Sequence, residues 1–440
     1  MYPNLYYVFQ DWFGVEWHAL SFLNSFGLMV AVAFVAAAWV LTSELRRKEK
    51  MGLLLPREEI ITVGRPATAS EIFVNALTGF IFGYKLAGLF FYKPENLNAQ
   101  EYIFTTQGSI LGGLFGAVLI GGLKWWDKRK TRLPSTEKRN VRIWPHDRVG
   151  DIIILGLIFG ILGAKLFDNL ENWDEFLKHP LESIFSPSGL TFYGGLILAT
   201  IAICWYALKK GIKLRHLVDS AAPALMIAYA IGRIGCHVSG DGDWGIYNSG
   251  YKSDEHGKVS KASPQDFQNT LNKYNTYFLE GKVVDSGRNH FVTDRTYPDL
   301  ASVPHKSMQG PGFLPSWLFA YAYPNNVNKD GIRIPGETRE HNRVLPQPVF
   351  PSSLYEFIIC SLLFLFMWSI RKKILTPLLM FGLYLILNGL ERFFIETMRV
   401  NKTYLLFGMH ASQAEIIAIL LVISGIGLVI YGKRLKPAGE

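Results

Sequence analysis

The sequence predicts an all-α protein that crosses a membrane about nine times, with its N-terminus outside and its C-terminus in the cytoplasm. The 440 residues are 49% hydrophobic and 18% charged on average, but the apolar residues are gathered into blocks that approach the length of a bilayer span. The nine blocks are residues 17–41, 72–92, 110–123, 152–167, 190–208, 217–238, 354–370, 374–390 and 416–431. This pattern excludes an ordinary soluble enzyme, a disordered chain and a disulfide-stapled secreted domain.

The distribution of basic residues predicts the orientation. The chain has 45 Lys and Arg residues against 36 Asp and Glu residues, and the basic groups follow alternate blocks. These groups lie at residues 46–50, 124–148, 209–215, 371–373 and 433–436. Short loops rich in Lys and Arg stay in the cytoplasm, so nine spans with the N-terminus outside place every basic group on one side. The net charge of +9 therefore requires no nucleic-acid partner.

The blocks divide the chain into three parts. Residues 1–238 are predicted to hold the first six helices, and residues 350–440 are predicted to hold the last three. Residues 239–349 are rich in Gly, Pro, Asn, Asp and Tyr and are expected to form an external (periplasmic) insert of mixed, irregular structure. Residues 124–148 are expected to be a solvated cytoplasmic loop.

The first part contains an internal repeat, a helical hairpin at residues 72–123 and again at residues 152–208. Each hairpin has a Gly-x-Lys-Leu string in its first helix and a Gly-Gly pair opening its second. The strings and pairs lie at residues 83–86, 163–166, 112–113 and 194–195. Repeated hairpins occur in membrane proteins, so we predict a duplication.

Charged side chains inside the apolar blocks mark candidate binding sites, because each costs roughly 2.5–3.5 kcal/mol to insert into a membrane. Arg233, near the end of the sixth block, lies between Gly232 and Gly235, which leave room for a ligand. A guanidinium group can donate two parallel hydrogen bonds to a phosphate. We therefore expect a lipid phosphate at Arg233, with snorkelling to the headgroups as the alternative.

The end of the eighth span is a second candidate. Arg392, Glu396 and Arg399 are spaced i, i+4 and i+7 and are expected to share one helical face. We expect Glu396 to orient Arg392 while Arg399 remains free to bind an anion, with a purely structural ion pair as the alternative. A single anionic ligand would explain both these residues and Arg233.

Tyr193 is a third candidate because it adds a phenol beside two small residues, Gly194 and Gly195. The glycines allow close approach of a helix or a lipid. On its own the signal is weak, since a Tyr at a membrane interface commonly acts as an anchor.

Four stretches, in order along the chain, resemble motifs of the prolipoprotein diacylglyceryl transferase family. Residues 189–197 are similar to its Gly-Leu-Ser-Phe-His-Gly-Gly segment, and residues 232–245 to its Gly-Arg-x-Gly signature with a following acidic residue and Gly. Residues 350–356 resemble its His-Pro-x-Gln-Leu-Tyr-Glu segment, and residues 392–399 its Arg-Phe-x-x-Glu-x-x-Arg segment. Residues 24–29 resemble the start of its first helix.

The resemblance implies transfer of a diacylglyceryl group from phosphatidylglycerol to the lipobox cysteine thiol of an exported prolipoprotein, with glycerol phosphate as the leaving group. It implies a multi-pass protein of the bacterial inner membrane. The implied partners are phosphatidylglycerol, the signal peptide of the prolipoprotein and membrane lipids. No cofactor or metal is expected, and the three cysteines form no CxxC pair. The resemblance leaves out the hairpin of residues 72–123 and the external insert.

The resemblance also implies roles for individual residues. Arg233 matches the family's phospholipid-binding Arg, and Arg392 matches its second essential Arg. The residues assigned to phosphatidylglycerol binding are Arg233, Arg399, Gly194 and Gly195. The residues assigned to the chemical step are Tyr193, Arg392, Glu396, His237 and Asp241, the last standing where the family has Glu.

The chain departs from the family pattern at four positions. Tyr193 stands in place of a His, Phe26 of a Tyr, Phe350 of a His and Cys236 of an Asn. The residue that accepts the thiol proton is therefore open between Tyr193 and His237. A phenol with a pKa near ~10 is a poor base at neutral pH unless nearby cations lower it.

Three other functions are weighed against the transferase. A lipid-binding paralogue with altered catalysis would explain Tyr193 and Phe26, and a transporter would explain the repeated hairpins with Lys85 and Lys165. An intramembrane aspartyl protease needs two carboxylates that face each other. Residues 240–243 (Gly-Asp-Gly-Asp) fit a Gly-x-Gly-Asp string, but they lie beyond the end of the sixth span. The other candidate carboxylate, Asp219, lies at the opposite end of that span.

Overall fold

The protein's structure is a computed structural model, and it consists mostly of helices. It describes residues 1–91, 102, 105–185, 191–242, 244–280, 297–400, 403–406 and 409–435. Asp243 and residues 188–190, which belong to motifs noted above, lie outside the described residues.

The helices of the described residues cover most of each predicted span. In chain order they are α1 (Leu5–Phe13), α2 (Ser25–Lys50), α3 (Ala69–Phe91), α4 (Ile110–Lys130), α5 (Val149–Glu171), α6 (Trp173–Lys178), α7 (Pro180–Phe185), α8 (Phe192–Lys209), α9 (Leu214–Ser239), α10 (Pro264–Lys273), α11 (Asn275–Glu280), α12 (Ser352–Ile370), α13 (Leu379–Glu396) and α14 (Gln413–Arg434). Within the described residues, eight helices are long and apolar enough to cross a membrane. The prediction of an all-α, multi-pass membrane protein is confirmed.

Helix α13 corresponds to the eighth predicted span and is not among these eight helices. It has 18 residues, and Glu391, Arg392 and Glu396 are among them. Because of these three charged residues, α13 is not counted among the eight apolar helices. Charged side chains inside a membrane are costly, so those of α13 must be stabilised by interactions with other residues.

The strands are short and pair two by two. They are β1 (Arg57–Val63), β2 (Glu137–Ile143), β3 (Tyr247–Asn248), β4 (Tyr251–Ser253), β5 (Val259–Lys261), β6 (His305–Lys306), β7 (Ile332–Arg333), β8 (Arg343–Val344), β9 (Thr403–Leu406) and β10 (Met409–Ser412). Each forms part of a two-stranded sheet. Strands β3 to β8 and the short helices α10 and α11 give the insert the mixed structure that its composition predicts.

Residues 124–148 are not the plain solvated loop that the sequence led us to expect. Helix α4 continues to Lys130, and β2 then pairs antiparallel with β1, with Ile60 opposite Asn140. Both strands are rich in charged residues and neither has a clear apolar alternation. Their pairing depends on a partner distant in the chain, so local pattern did not indicate it.

The described chain divides into two compact units. The first unit comprises residues 1–14, 24–41 and 218–440, and the second comprises residues 15–23 and 42–217. We describe each unit by itself.

The second unit contains two strand–hairpin modules with the same order of elements. Strand β1 and helix α3 begin at Arg57 and Ala69, and β2 and α5 begin at Glu137 and Val149. Both pairs of starting points differ by 80 positions (57 to 137, 69 to 149). In the β1–β2 pair, Ile60 and Asn140, which differ by the same offset, face each other.

The two hairpins also share a backbone contact between their helices. In the first hairpin the Ser109 N–H donates to the Tyr84 carbonyl at 2.8 Å, and in the second the Thr191 N–H donates to the Ala164 carbonyl at 3.1 Å. Each donor is the N-cap residue of the second helix, and each acceptor directly precedes the repeated Lys. The hairpins therefore close in the same way.

In the first unit, the insert has an aromatic core and is tied to two spans. The core includes Trp244, Tyr247, Phe278 and Tyr323. The Gly245 N–H donates to the Phe350 carbonyl, and the Ile246 N–H donates to the Met398 carbonyl, both at 2.8 Å. This backbone segment therefore links the start of α12 to the residues that follow α13.

The end of α9 is set by Gly240, which has a φ of +70°. The Gly240 N–H donates to the His237 carbonyl and the Asp241 N–H to the Cys236 carbonyl, the bond pattern of a Schellman motif. A glycine suits this left-handed position because it has no side chain to strain the backbone. The motif therefore fixes where α9 stops, shortly after Arg233.

Candidate active site

The candidate site in the first unit is centred on the carboxylate of Glu356. Helix α12 begins at Ser352, so Glu356 lies in the second turn, and its side chain is fully buried. Arg233 of α9 donates to both carboxylate oxygens, from Nε to Oε2 and from Nη2 to Oε1, the latter at 2.9 Å. The Tyr229 hydroxyl, one turn earlier on α9, donates to Oε2 at 2.8 Å.

Two further arginines converge on the same carboxylate. Arg399 Nη2 lies 3.0 Å from Glu356 Oε1, and Arg392 Nη1 lies 3.8 Å from the same oxygen. The prediction that Arg399 is left without a carboxylate partner was wrong, but its assignment to phosphatidylglycerol binding stays a prediction. Helix α13 ends at Glu396, so Arg399 leaves the helical face predicted for it and its guanidinium pairs with α12 instead.

Glu396 orients Arg392 as the sequence spacing predicts. Arg392 Nη2 lies 3.2 Å from Glu396 Oε2. The other oxygen, Oε1, accepts a hydrogen bond of 2.7 Å from the Ser412 hydroxyl. Ser412 is also the N-cap of α14, where it forms a capping box with Glu415. The carboxylate is thus held between an arginine of its own helix and the first turn of the next.

The paired groups of this cluster carry an excess of positive charge. Three guanidinium groups face the two carboxylates of Glu356 and Glu396, which leaves one net positive charge. The side chains of Arg233 and Arg399 are only 11% and 6% exposed. A guanidinium group that pairs with a carboxylate keeps further N–H donors, and these can bind an anion. Guanidinium forks suit phosphate oxygens in particular.

His237 occupies a different environment. Its Nδ1 lies 3.2 Å from the Tyr323 hydroxyl, and its ring packs edge-on against Tyr321 and Tyr323 of the insert. Burial raises the pKa of Tyr323, so that phenol stays protonated. Asp241, the other predicted residue beyond α9, is half-buried and helps to close the helix end through its backbone.

Tyr193, Gly194 and Gly195 lie at the start of α8 in the second unit. Tyr193 is half-buried, and both glycines are buried. A Cβ on Gly194 would lie 2.5 Å from the Gly163 carbonyl oxygen, and one on Gly195 would lie 2.7 Å from the Gly160 carbonyl oxygen. Close packing of α8 on α5 therefore accounts for both glycines, and their predicted role in lipid binding stays a prediction.

Two carboxyl residues of the first unit were not singled out by sequence reasoning. Glu356 was noted only as the last position of a motif, although a Glu inside an apolar block is a signal in its own right. Glu391 is 4% exposed, and neither of its carboxylate oxygens has a hydrogen-bond partner within the described residues. Its signal was similar, a second charge next to Arg392 at the end of the eighth apolar block.

Comparison with known proteins agrees with the motifs. The family model for prolipoprotein diacylglyceryl transferase matches residues 131–431, which include the arginine cluster, Tyr193 and the insert. The match begins after α4, so the first hairpin lies before it.

Individual relatives carry the same name, phosphatidylglycerol–prolipoprotein diacylglyceryl transferase. That of Shouchella clausii is 25% identical over 295 residues, 67% of this chain and 78% of the relative. That of Streptococcus agalactiae serotype Ia is 25% identical over 307 residues, 69% of this chain and 85% of the relative. That of Leptospira interrogans is 33% identical over 118 residues, 22% of this chain and 37% of the relative, so the chain spans little more than a third of the length of that relative. The family match over residues 131–431 covers most of the chain, and the chain belongs to the prolipoprotein diacylglyceryl transferase family.

Proposed function

We propose that the protein transfers the diacylglyceryl group of phosphatidylglycerol to the lipobox cysteine thiol of exported prolipoproteins and releases glycerol phosphate. The observation that carries this proposal is the convergence of Arg233, Arg392 and Arg399 on the buried Glu356 carboxylate. Three guanidinium groups at one buried point favour a phosphate ligand. The family membership supports the same substrate class.

The proposed reaction requires two things of the enzyme, stabilisation of the charge on the leaving phosphate and transfer of the thiol proton. The attacking thiol belongs to the substrate, so the enzyme needs no nucleophile of its own. Negative charge grows on the departing phosphate, and preorganised donors at that point lower the barrier. Arg233, Arg392 and Arg399 fill this role in our proposal, with Glu396 holding Arg392 in place. Tyr193 and His237 remain the sequence-derived candidates for the thiol proton, and Asp241 lies near the end of α9.

We place the reaction at the outer face of the bacterial inner membrane. The alternation of basic loops supports an external N-terminus, a cytoplasmic C-terminus and an external insert at residues 239–349. We also propose that residues 72–123 and 152–208 are a duplicated hairpin, as the common offset of 80 positions and the matching backbone contacts support.

A lipid-binding paralogue with altered catalysis is the second candidate function. The observation in its favour is Tyr193, which stands where the family has His, together with Phe26 in place of a Tyr. Such a protein would bind phosphatidylglycerol but leave a prolipoprotein unmodified.

The test is transfer from phosphatidylglycerol to a reporter prolipoprotein by the purified full chain in proteoliposomes, read by the mass of the reporter cysteine. We expect the wild type to add a diacylglyceryl group and Arg233→Ala to lose about 100-fold or more in kcat/KM. Arg142→Ala, which removes an exposed arginine of β2, is the matched control and should keep activity. Full activity of Arg233→Ala would contradict the phosphate site. Binding of the lipid by the wild type without transfer would favour the paralogue.

A further inference from the structure

Glu391 is a buried carboxyl that no hydrogen bond of its side chain holds in place within the part of the chain that the structure describes. It lies in α13 and is 4% exposed, and both its oxygens lack a hydrogen-bond partner within the described residues. Leaving a buried acceptor unsatisfied is costly, and more so for a charged group. Such a group in a folded protein calls for an explanation, and a role in the chemistry is one of the few available.

The surroundings of Glu391 connect it to the arginine cluster. The guanidinium groups of Arg392, Arg233 and Arg399 all act on it electrostatically. Its other titratable neighbours are Tyr229 of α9, Cys360 of α12 and Tyr384 of α13. Helix α14 packs against α13 beside Gly389 and presents apolar side chains there. Glu391 is therefore a buried carboxyl within electrostatic range of the three arginines that we assign to the phosphate.

The charges of the site indicate what such a carboxyl can do. With Glu391 ionised, three carboxylates balance three guanidinium groups, and a bound phosphodiester adds one negative charge. When the ester bond breaks, the phosphate becomes a dianion and the thiol has lost its proton. If that proton leaves for water, the buried site gains a second negative charge. If a carboxylate within the site takes it, the total charge does not change, which is favoured away from water.

We propose that Glu391 accepts the thiol proton during diacylglyceryl transfer, an inference that rests on the proposed function. The S–H bond breaks and its proton passes to the Glu391 carboxylate. The sulfur electron pair then forms a bond to the glyceryl carbon that bears the phosphate. The carbon–oxygen bond breaks with its electrons on the phosphate oxygen, and glycerol phosphate departs as a dianion held by the arginines. Glu391 returns to its ionised form when it releases the proton after product release.

This assignment fits the replacement of the family's His by Tyr193. A proton acceptor that works near neutral pH is needed, and a phenol meets that need poorly. His237 has its Nδ1 engaged with Tyr323. Glu391 supplies a carboxyl inside the first unit, next to the arginines, where the leaving phosphate is bound.

The test compares Glu391→Gln with the wild type in the proteoliposome transfer assay, with kcat and KM measured separately across a pH series. We expect kcat to fall on the order of 100-fold, while KM for phosphatidylglycerol changes by less than about threefold because the arginines that bind phosphate are intact. The wild-type kcat should decline as the pH is lowered, since protonated Glu391 cannot accept a proton. That acidic decline should be absent from the residual activity of Glu391→Gln.

Glu44→Gln is the matched control, because Glu44 is a buried carboxyl that pairs with Arg47 in α2. It should lower the melting temperature but leave kcat unchanged. Glu391→Gln should do the reverse, since no hydrogen bond is lost. If Glu391→Gln had the same kcat and pH profile as the wild type, the inference would be overturned but the proposed function would stand. Absence of transfer by the wild type would overturn both.

Discussion

The two units of the molecule offset the cost of a cation in an apolar helix in different ways. In the first unit, Arg233 pairs with a buried carboxylate, that of Glu356. In the second unit, Lys85 Nζ donates to three backbone carbonyls, those of Tyr102, Thr105 and Gln107, at 3.0, 2.5 and 2.9 Å. Both arrangements satisfy the cation, but only the first uses a partner that is itself charged.

The difference distinguishes a proposed ligand-binding site, the arginine cluster around Glu356, from a contact that closes a loop, that of Lys85. A guanidinium group has five N–H donors, so an arginine that pairs with a carboxylate keeps donors for a phosphate, and the cluster can bind a ligand without leaving Glu356 unpaired. Carbonyls that belong to the hairpin loop cannot be exchanged, because the lysine holds the loop in place. Lys85, one of the two lysines that favoured a transporter in the sequence, is therefore explained by the hairpin loop that it closes.

Removing the shared carboxylate is expected to have the largest effect. Glu356→Ala removes the fully buried carboxylate that three arginines share, and we expect the free energy of unfolding to fall by about 3–5 kcal/mol. Transfer activity should fall by about 100-fold or more, because the arginines lose their alignment. Denaturation of the detergent-solubilised full chain and the transfer assay measure the two effects.

Glu337→Ala is the control for this change, since Glu337 pairs with Arg339 in the insert and is partly exposed. It should cost about 1 kcal/mol or less and leave transfer unchanged. Equal effects of the two substitutions would mean that the Glu356 cluster is an ordinary ion pair, and the contrast between the units would fail.

A glycine of the second unit is expected to have an intermediate effect. Gly194→Val puts a side chain against the Gly163 carbonyl and Phe167, and such overpacking costs about 1–3 kcal/mol. The same cost is expected for Gly112→Val in the first hairpin, where the Gly83 carbonyl lies 2.6 Å from the added Cβ. Thermal unfolding of the full chain measures both.

Gly122→Val serves as the control because a Cβ there meets nothing within 4 Å. It should not lower the melting temperature. Measuring the affinity of Gly194→Val for phosphatidylglycerol distinguishes a role of Gly194 in lipid binding from a role in helix packing. A weaker affinity with an unchanged melting temperature would assign Gly194 to lipid binding, as the sequence predicts, rather than to helix packing.

The smallest effect is expected at the lysine. Lys85→Met removes three donors from a hairpin loop whose carbonyls water can reach, so we expect a loss of about 1 kcal/mol. Hydrogen exchange at residues 105–109 should become faster, while transfer activity changes by less than twofold. Lys138→Met, an exposed position in β2, is the control and should change neither. A loss of transfer activity in Lys85→Met would show that the lysine does more than close the loop.

Local sequence was sufficient for the helices and for most of the charged site. Apolar blocks predicted the spans, and the i, i+4 spacing predicted that Glu396 orients Arg392. It was insufficient for Arg399, because α13 ends at Glu396 and the Met398 carbonyl then accepts a backbone hydrogen bond from Ile246 of the insert. It was also insufficient for Glu391, whose lack of a hydrogen-bond partner within the described residues can be seen only once its neighbours are in place.

The sequence by itself determined that this chain crosses a membrane and which arginines its spans must accommodate, because burial of apolar length and the cost of buried charge are properties of local composition. The tertiary structure alone decided that Glu356 joins those arginines, that β1 pairs with β2 and that Glu391 has no hydrogen-bond partner among the described residues. Each of these depends on which distant segments meet, and pairing between distant segments is set by the packing of the whole fold.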